Sequence, residues 1–133
     1  MFLTRECDYA VRVVRSLADS EKKAVNLICE EEHVPIYFAY KILKKLEKAK
    51  IVQATRGAVG GYQLATKLNK ITLLDIVTAI DTDLLLNACL KEGFDCTRDT
   101  EDNHCKVHIE LSEIQDRLVA MLQEKTMDQL CDV

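Results

Sequence analysis

The chain has 133 residues, 48% of them apolar and 30% charged, with a net charge of −4 at pH 7. This gives room for one domain with its core and an added dimerisation element, but not for a second large domain. No run reaches the roughly 18 unbroken apolar residues of a membrane helix, and the start, Met1-Phe2-Leu3-Thr4-Arg5-Glu6, has no signal core, so a soluble cytoplasmic protein without a membrane partner is expected.

Residues 5–19 predict a first helix. Thr4 can cap it, Glu6 and Asp8 suit the positive end of its dipole, and Tyr9, Ala10, Val13, Val14, Leu17 and Ala18 form one apolar stripe. Asn26 predicts the cap of a short second helix over 27–33. Pro35 marks a turn and the start of a third helix. There Ala39, Ile42, Leu43, Leu46 and Ala49 face inward, while Tyr37, Lys41, Lys44 and Lys48 fall on the opposite side, with Tyr40 and Lys45 beside it. A short helix, a tight turn and a helix with one apolar and one basic-aromatic face form a helix-turn-helix pattern.

Two strand-like runs follow, at 51–55 and 62–65, around Arg56-Gly57-Ala58-Val59-Gly60-Gly61. The glycines suit a hairpin tip that approaches a surface closely, which makes a wing with an arginine at its base. Thr72-x-x-Asp75 opens another helix like a capping box, with Leu73, Ile76, Val77 and Ile80 at helical spacing. Residues 88–105 lack periodicity and read as a long loop, the kind that is functional or disordered. The helical pattern returns over 106–123, where Val107, Leu111, Ile114, Leu118 and Leu122 make a narrow stripe suited to a partner helix. Thr126-x-x-Gln129 starts a short C-terminal turn.

The expected fold class is mainly α with a small β-hairpin wing: a winged helix-turn-helix plus a long C-terminal dimerisation helix. The expected divisions are a DNA-binding domain over 1–81, a cysteine-bearing sensor loop over 82–105, and a dimerisation helix with its tail over 106–133.

The charge is bipolar. Residues 36–67 carry Lys41, Lys44, Lys45, Lys48, Lys50, Arg56 and Lys67 against the single acid Glu47. Residues 92–116 are predominantly acidic, from Glu92 and Asp95 to Glu113 and Asp116. Such a molecule can dock one end on phosphate and keep the other away. Candidate double-stranded DNA contacts are Tyr37, Phe38, Tyr40, Lys41 and Lys44 on the third helix and Arg56, Gly57, Gly60 and Tyr62 on the wing. Packing against the second helix is an equal reading for Phe38. Arg56 suits a narrow minor groove.

Of six cysteines, Cys7, Cys29 and Cys131 are isolated and read as small apolar residues. Cys89-x6-Cys96-x8-Cys105-x2-His108 is a cluster in which a flexible loop could gather thiolates around zinc or an iron–sulfur centre. His108 is the candidate fourth ligand, and His104 reads better as a solvated loop residue. Free loop thiols are the alternative. No phosphate-cradling G-x-x-x-x-G-K-[ST], G-x-G-x-x-G or G-x-S-x-G motif is present, so an enzyme, and with it a small-molecule substrate, is not expected.

The opening Met1-x-Leu3-Thr4 with Asp8-Tyr9-Ala10-Val11-Arg12 resembles the start of the bacterial Rrf2 regulators, a family that includes IscR, NsrR, RirA and CymR. So do Leu43-Lys44-Lys45-Leu46-x-Lys48-Ala49 before Ile51-Val52, and Ile71-Thr72-Leu73-Leu74-Asp75-Ile76-Val77. The most specific match is Arg56-Gly57-x-x-Gly60-Gly61-Tyr62-x-Leu64. The resemblance covers essentially the whole chain. It implies a homodimeric transcription regulator, a repressor or dual regulator, that reads a palindromic operator once per half-site. It further implies an iron–sulfur cluster (2Fe–2S or 4Fe–4S) held by Cys89, Cys96 and Cys105. The fourth ligand is then His108, as in IscR-like members, or Asp8 from the partner subunit, as in NsrR-like members. Cluster-free members sense thiol state or dock a partner protein instead. Two features depart from the family pattern: the eight residues between Cys96 and Cys105, and Lys50 at a position where relatives have glycine after the recognition helix. A lysine there must accept a left-handed cap unless the helix ends differently.

Overall fold

The computed structural model describes residues 3–132; Met1 and Phe2 of the expected N-terminal signature lie outside that range. Helix α1 spans Arg5–Ser16, capped by the Thr4 hydroxyl, which accepts from the Cys7 amide, with Glu6 and Asp8 in its first turn. It buries Cys7, Ala10, Val13 and Val14. The helix ends three residues before the expected 19, and the chain then turns through Ser20 at φ 63°.

Helix α2 spans Val25–Glu32. Its N-cap is Ala24, with no side-chain cap bond, which corrects the expectation that Asn26 caps it. The earlier start follows from Lys23, whose amide donates to the Tyr62 carbonyl (2.9 Å) and whose carbonyl accepts from the Tyr62 amide (2.8 Å). That pairing holds Lys23 extended up to the helix start. Left-handed His33 (φ 53°) ends α2, and Pro35 stands at the N-cap of α3, Ile36–Lys48.

Helix α3 buries Ala39, Ile42, Leu43 and Leu46. Burying each of the three large side chains is worth about 1.5–3 kcal/mol. Ala49, expected inward, is exposed because it caps the helix C-terminus. Lys50 takes the left-handed position at φ 61°. Its amide donates to the Glu47 carbonyl (2.9 Å), and the Ile51 amide donates to the Leu46 carbonyl (3.0 Å). These two bonds form a Schellman closure, completed by the buried pair Leu46 and Ile51.

Strands β1 (Val52–Thr55) and β2 (Gly61–Leu64) pair antiparallel, with Val52 opposite Leu64 and Thr55 opposite Gly61. The bridge from Lys23 to Tyr62 adds a third extended segment to this hairpin. Helix α4, Leu73–Ile80, begins with the expected Thr72–Asp75 capping box and buries Ile76, Val77 and Ile80. A linker with a short 3-10 turn at Ala88–Leu90 leads to helix α5, Lys106–Glu124. Helix α5 is about 28 Å long. A second capping box, Thr126–Gln129, opens helix α6, Met127–Leu130.

The core gathers α1, α3 and α4 around Val13, Leu17, Ile28, Leu43, Leu46 and Ile76. Helix α6 joins it. Met127 and Cys131 are buried there, and the Met127 amide donates to the Ile71 carbonyl (2.7 Å). The C-terminal end of α5 is thus fastened to the N-terminal domain at the start of α4. No helix of the described residues is long and apolar enough to cross a membrane.

Candidate nucleic-acid interface and cysteine loop

Burial of Ile42, Leu43 and Leu46 forces the other side of α3 into solvent. Tyr37 (75% exposed), Tyr40, Lys41, Lys44 and Lys48 stand there. Phe38 is half-buried and packs on Tyr9, with ring centroids 5.3 Å apart. This is the packing alternative weighed for it, although that packing is against α1 rather than α2.

The wing stands beside this helix. Gly57 has φ 125°, a conformation side chains rarely adopt. At Gly61 a Cβ would fall 2.5 Å from the Lys23 carbonyl oxygen, so only glycine lets the third segment lie against β2. The Lys22 ammonium donates to the Val59 carbonyl (2.7 Å) and holds the wing tip. An open cleft of about 400 Å³ separates the wing from the helices, lined by Asn26, Tyr40, Glu47, Arg56, Gly60 and Tyr62 among others. Tyr40, Arg56, Gly60 and Tyr62, all predicted contacts, therefore border one concavity. Tyr62 is half-buried; burial, reinforced by Glu47, pushes its hydroxyl above the usual tyrosine range.

Not every basic side chain of α3 points at solvent alone. The Glu6 carboxylate of α1 accepts from Lys41 (2.7 Å) and from Lys45 (2.9 Å). These two bonds hold the Glu6 carboxyl below its usual range against a small opposing effect of burial. Lys45 also donates to the Ile80 carbonyl at 3.3 Å. In the sequence Glu6 reads only as a helix-dipole residue, and nothing there marks it as a partner of α3. Lys22 also escapes sequence reasoning, for its role depends on the wing folding back onto it.

In the loop, Cys89 lies on the 3-10 turn packed against α5, Cys96 lies in an irregular stretch, and Cys105 is the N-cap of α5. All three thiols are free and half-buried. His108 is half-buried in the first turn of α5. His104 is exposed, and its Nδ1 lies 3.2 Å from Asp99, which also accepts from the Cys105 amide (3.2 Å). That amide, and secondly His104, hold the Asp99 carboxyl below its usual range. Asp8, the alternative ligand, pairs with Arg12 one turn on in α1. Among the described residues no three His, Cys, Asp or Glu side chains gather closely enough to hold a metal ion. The loop therefore supplies a thiol-rich donor set whose members, as folded, do not converge on one point. The isolated cysteines behave as small apolar residues: Cys7 and Cys131 are buried in the core, and burial pushes the Cys29 and Cys131 thiols up.

Helix α5 buries no residue in the protomer. Val107 (65% exposed), Ile114 (42%) and Met121 (68%) recur every seventh residue along one side. Leu111 and Leu118 beside them are half-buried, and Leu122 packs against the core. Two large exposed apolar residues of α5 are absent from the predicted stripe, Ile109 and Met121, and the seven-residue repeat marks only Met121.

A family profile described as Rrf2, Iron-dependent Transcriptional regulator, matches residues 3–133. The protein aau3 of Rhizobium meliloti is 29% identical, over 98% of this chain and 84% of its own length. The HTH-type transcriptional regulator IscR of Vibrio vulnificus is also 29% identical, over 98% of this chain and 77% of its own length. Among solved structures, oxidized CymR of Staphylococcus aureus superposes with a TM-score of 0.74 at 20% identity, covering 100% of this chain and 98% of that one. The IscR of T. potens superposes with a TM-score of 0.72 at 22% identity, covering 96% and 83%. At these identities the structures speak for the winged-helix fold alone.

Proposed function

The chain belongs to the Rrf2 family of transcriptional regulators, and from that premise we infer that α3 and the wing form the surface by which it grips double-stranded DNA as a homodimer. Family membership makes it a DNA-binding transcription regulator rather than an enzyme. The observation that carries the finer assignment is the cleft that sets Tyr40 of α3 opposite Arg56 of the wing. Tyr37, Tyr40 and Lys44 are positioned to reach base edges and phosphates in the major groove. Arg56, with the close backbone approach of Gly57 and Gly60, serves the adjacent minor groove. Lys41 serves a flanking phosphate. Phe38 positions the helix rather than touching DNA, and Tyr62 forms the floor of the cleft.

Selection of bound fragments from a random duplex pool tests this reading. A dimer that reads one half-site per recognition helix recovers a palindrome. Arg56→Ala then weakens binding and lowers the salt slope by about one, as expected for one lost phosphate contact. Full binding by Arg56→Ala/Lys44→Ala would place the contacts elsewhere. The activity is that of a cytoplasmic repressor or dual regulator.

The loop is assigned as the sensor. Cys89, Cys96 and Cys105, with His108 or the partner's Asp8, are the donors for an iron–sulfur cluster. Three thiols on one loop and the family's description as iron-dependent support that cofactor. The dispersed thiols favour the second reading, a cluster-free loop that responds to thiol oxidation or to a partner protein. Either way the loop is tied to α5. Gln115 donates to the Leu84 carbonyl (2.6 Å) and accepts from the Leu86 amide (2.9 Å), just before Cys89. A change in the loop thereby pulls on the dimerisation helix and on the spacing of the two recognition helices. Anaerobic reconstitution with iron and sulfide decides between the readings: bound iron, acid-labile sulfide and visible absorption mean a cluster sensor, and a colourless protein means the cluster-free alternative.

A further inference from the structure

We propose that Glu6 is an internal stand-in for a DNA phosphate, occupying Lys41 in the free protein and thereby holding down non-specific DNA affinity. The inference rests on the reading of α3 as the DNA-facing helix and adds to it a residue of α1 that regulates that face.

The geometry is specific. Lys41 and Lys45 lie one turn apart on α3, and the Glu6 carboxylate bridges them, one oxygen to each ammonium, at 2.7 and 2.9 Å. The two lysines are not equivalent. The Lys45 ammonium is also held by the Ile80 carbonyl at the end of α4, and its side chain is 34% exposed. Among the described residues Lys41 pairs with Glu6 alone, and its side chain is 49% exposed. The Glu6 side chain is 21% exposed and sits in the first turn of α1, where the helix dipole favours negative charge. When a phosphate approaches, Lys41 is the partner free to leave, while Lys45 keeps the carboxylate satisfied.

The consequence is an exchange. In the wild-type protein a Lys41–phosphate contact forms at the expense of the Lys41–Glu6 contact, so most of its favourable energy is cancelled. Non-specific affinity is almost wholly electrostatic and counts phosphates. Base-edge contacts from Tyr37, Tyr40 and Lys44 do not pass through Glu6. Cancelling one phosphate contact therefore lowers background binding more than it lowers discrimination between sequences.

The test uses the full-length protein and a short mixed-sequence duplex, with affinity followed by fluorescence anisotropy across a salt series. Glu6→Gln keeps an acceptor for Lys45 and releases Lys41. The expected result is a salt slope steeper by about one and an affinity gain on the order of five- to tenfold at 0.1 M salt. In a Lys41→Ala background, Glu6→Gln should change neither. Unchanged slope and affinity for Glu6→Gln would overturn the inference while leaving DNA binding intact. A gain that survives in the Lys41→Ala background would also overturn it, since the effect would then be general repulsion. No binding by the wild type at any salt concentration would remove the DNA reading and this one together. A measurement independent of any variant is NMR of the lysine ammonium groups. Lys41 should show its contact to Glu6 in the free protein and lose it when duplex is added, and retention of that contact in the complex counts against the exchange.

Discussion

Lys50 shows how a single residue can depart from a pattern without breaking it. The Schellman closure after α3 needs a left-handed residue, and glycine adopts that conformation without strain from a Cβ. Here lysine occupies it at φ 61°, with both closing hydrogen bonds intact. The strain is borne because Leu46 and Ile51 are buried on either side and leave the backbone no alternative. Lys50→Gly should accordingly raise stability by about 0.5–1 kcal/mol, read as a shift of the urea midpoint at constant slope. The need for a special conformation was legible in the sequence from its departure at Lys50; which of the two outcomes the chain takes was not, because the decision rests on tertiary burial. Gly61 is the complementary case. Its need is not a turn but the carbonyl of Lys23, a residue 38 positions earlier in the chain, and no local pattern reveals that. Gly61→Ala should loosen the wing and weaken DNA binding more than it lowers global stability. Proteolysis confined to residues 56–60 would report that loosening.

At the scale of elements, the wing is held by a polar network that neither strand contains. The Ser16 hydroxyl donates to Glu31 (2.6 Å), and Lys23 donates to Glu31 (2.9 Å) and to the Ser16 carbonyl (2.5 Å), with Asp19 3.2 Å away. Through Lys23 the end of α1 and the outer turn of α2 are joined to the third segment of the hairpin. The Ser16 hydroxyl, and then Lys23, hold the Glu31 carboxyl below its usual value of 4.5. A carboxyl depressed by folding contributes stability above its unfolded value and loses it as pH falls through the lower folded one. Lys23 has the opposite sense. Burial pulls its ammonium down, but Glu31 and Asp19 outweigh that and leave it above 10.5, so its contribution fades only as pH rises beyond that value. The wing attachment should therefore weaken on acidification below about pH 4.5. Glu31→Gln should flatten that acid limb and leave the neutral plateau lower, as measured by hydrogen exchange at the Tyr62 amide across pH. A limb unchanged in Glu31→Gln would assign the acid sensitivity to other carboxylates. The helices and the Thr72–Asp75 capping box were legible because they follow from local spacing and caps, whereas Thr126–Gln129 read only as the start of a turn. The start of α2 was misplaced because its boundary is set by the cross-chain pairing of Lys23 with Tyr62, which outweighs the capping preference of Asn26.

At the scale of the whole molecule, α5 is the helix the protomer leaves uncovered. A 19-residue helix with no buried residue is not stabilised by its own protomer along most of its length. Three of its four large exposed apolar residues, Val107, Ile114 and Met121, fall at intervals of seven with half-buried Leu111 and Leu118 between them, which is the spacing of a coiled-coil seam; Ile109 lies off that repeat. The other side is already occupied: Gln115 clasps the linker, and the C-terminal end is fixed to the core through Met127. The seam is therefore both exposed and rigidly oriented, as a two-fold partner surface must be. Ile114→Asp/Met121→Asp places two carboxylates in that seam without touching the protomer core. If the proposed homodimer pairs through this seam, the wild type sediments as a dimer and the variant as a monomer at the same concentration, with far-ultraviolet helicity largely kept. Losing the second half-site removes the gain from linked binding, so affinity for a palindromic duplex should fall by about a hundredfold or more, while affinity for a single half-site changes little. A variant that remains dimeric would move the interface off α5, and with it the route by which the cysteine loop is proposed to reach DNA.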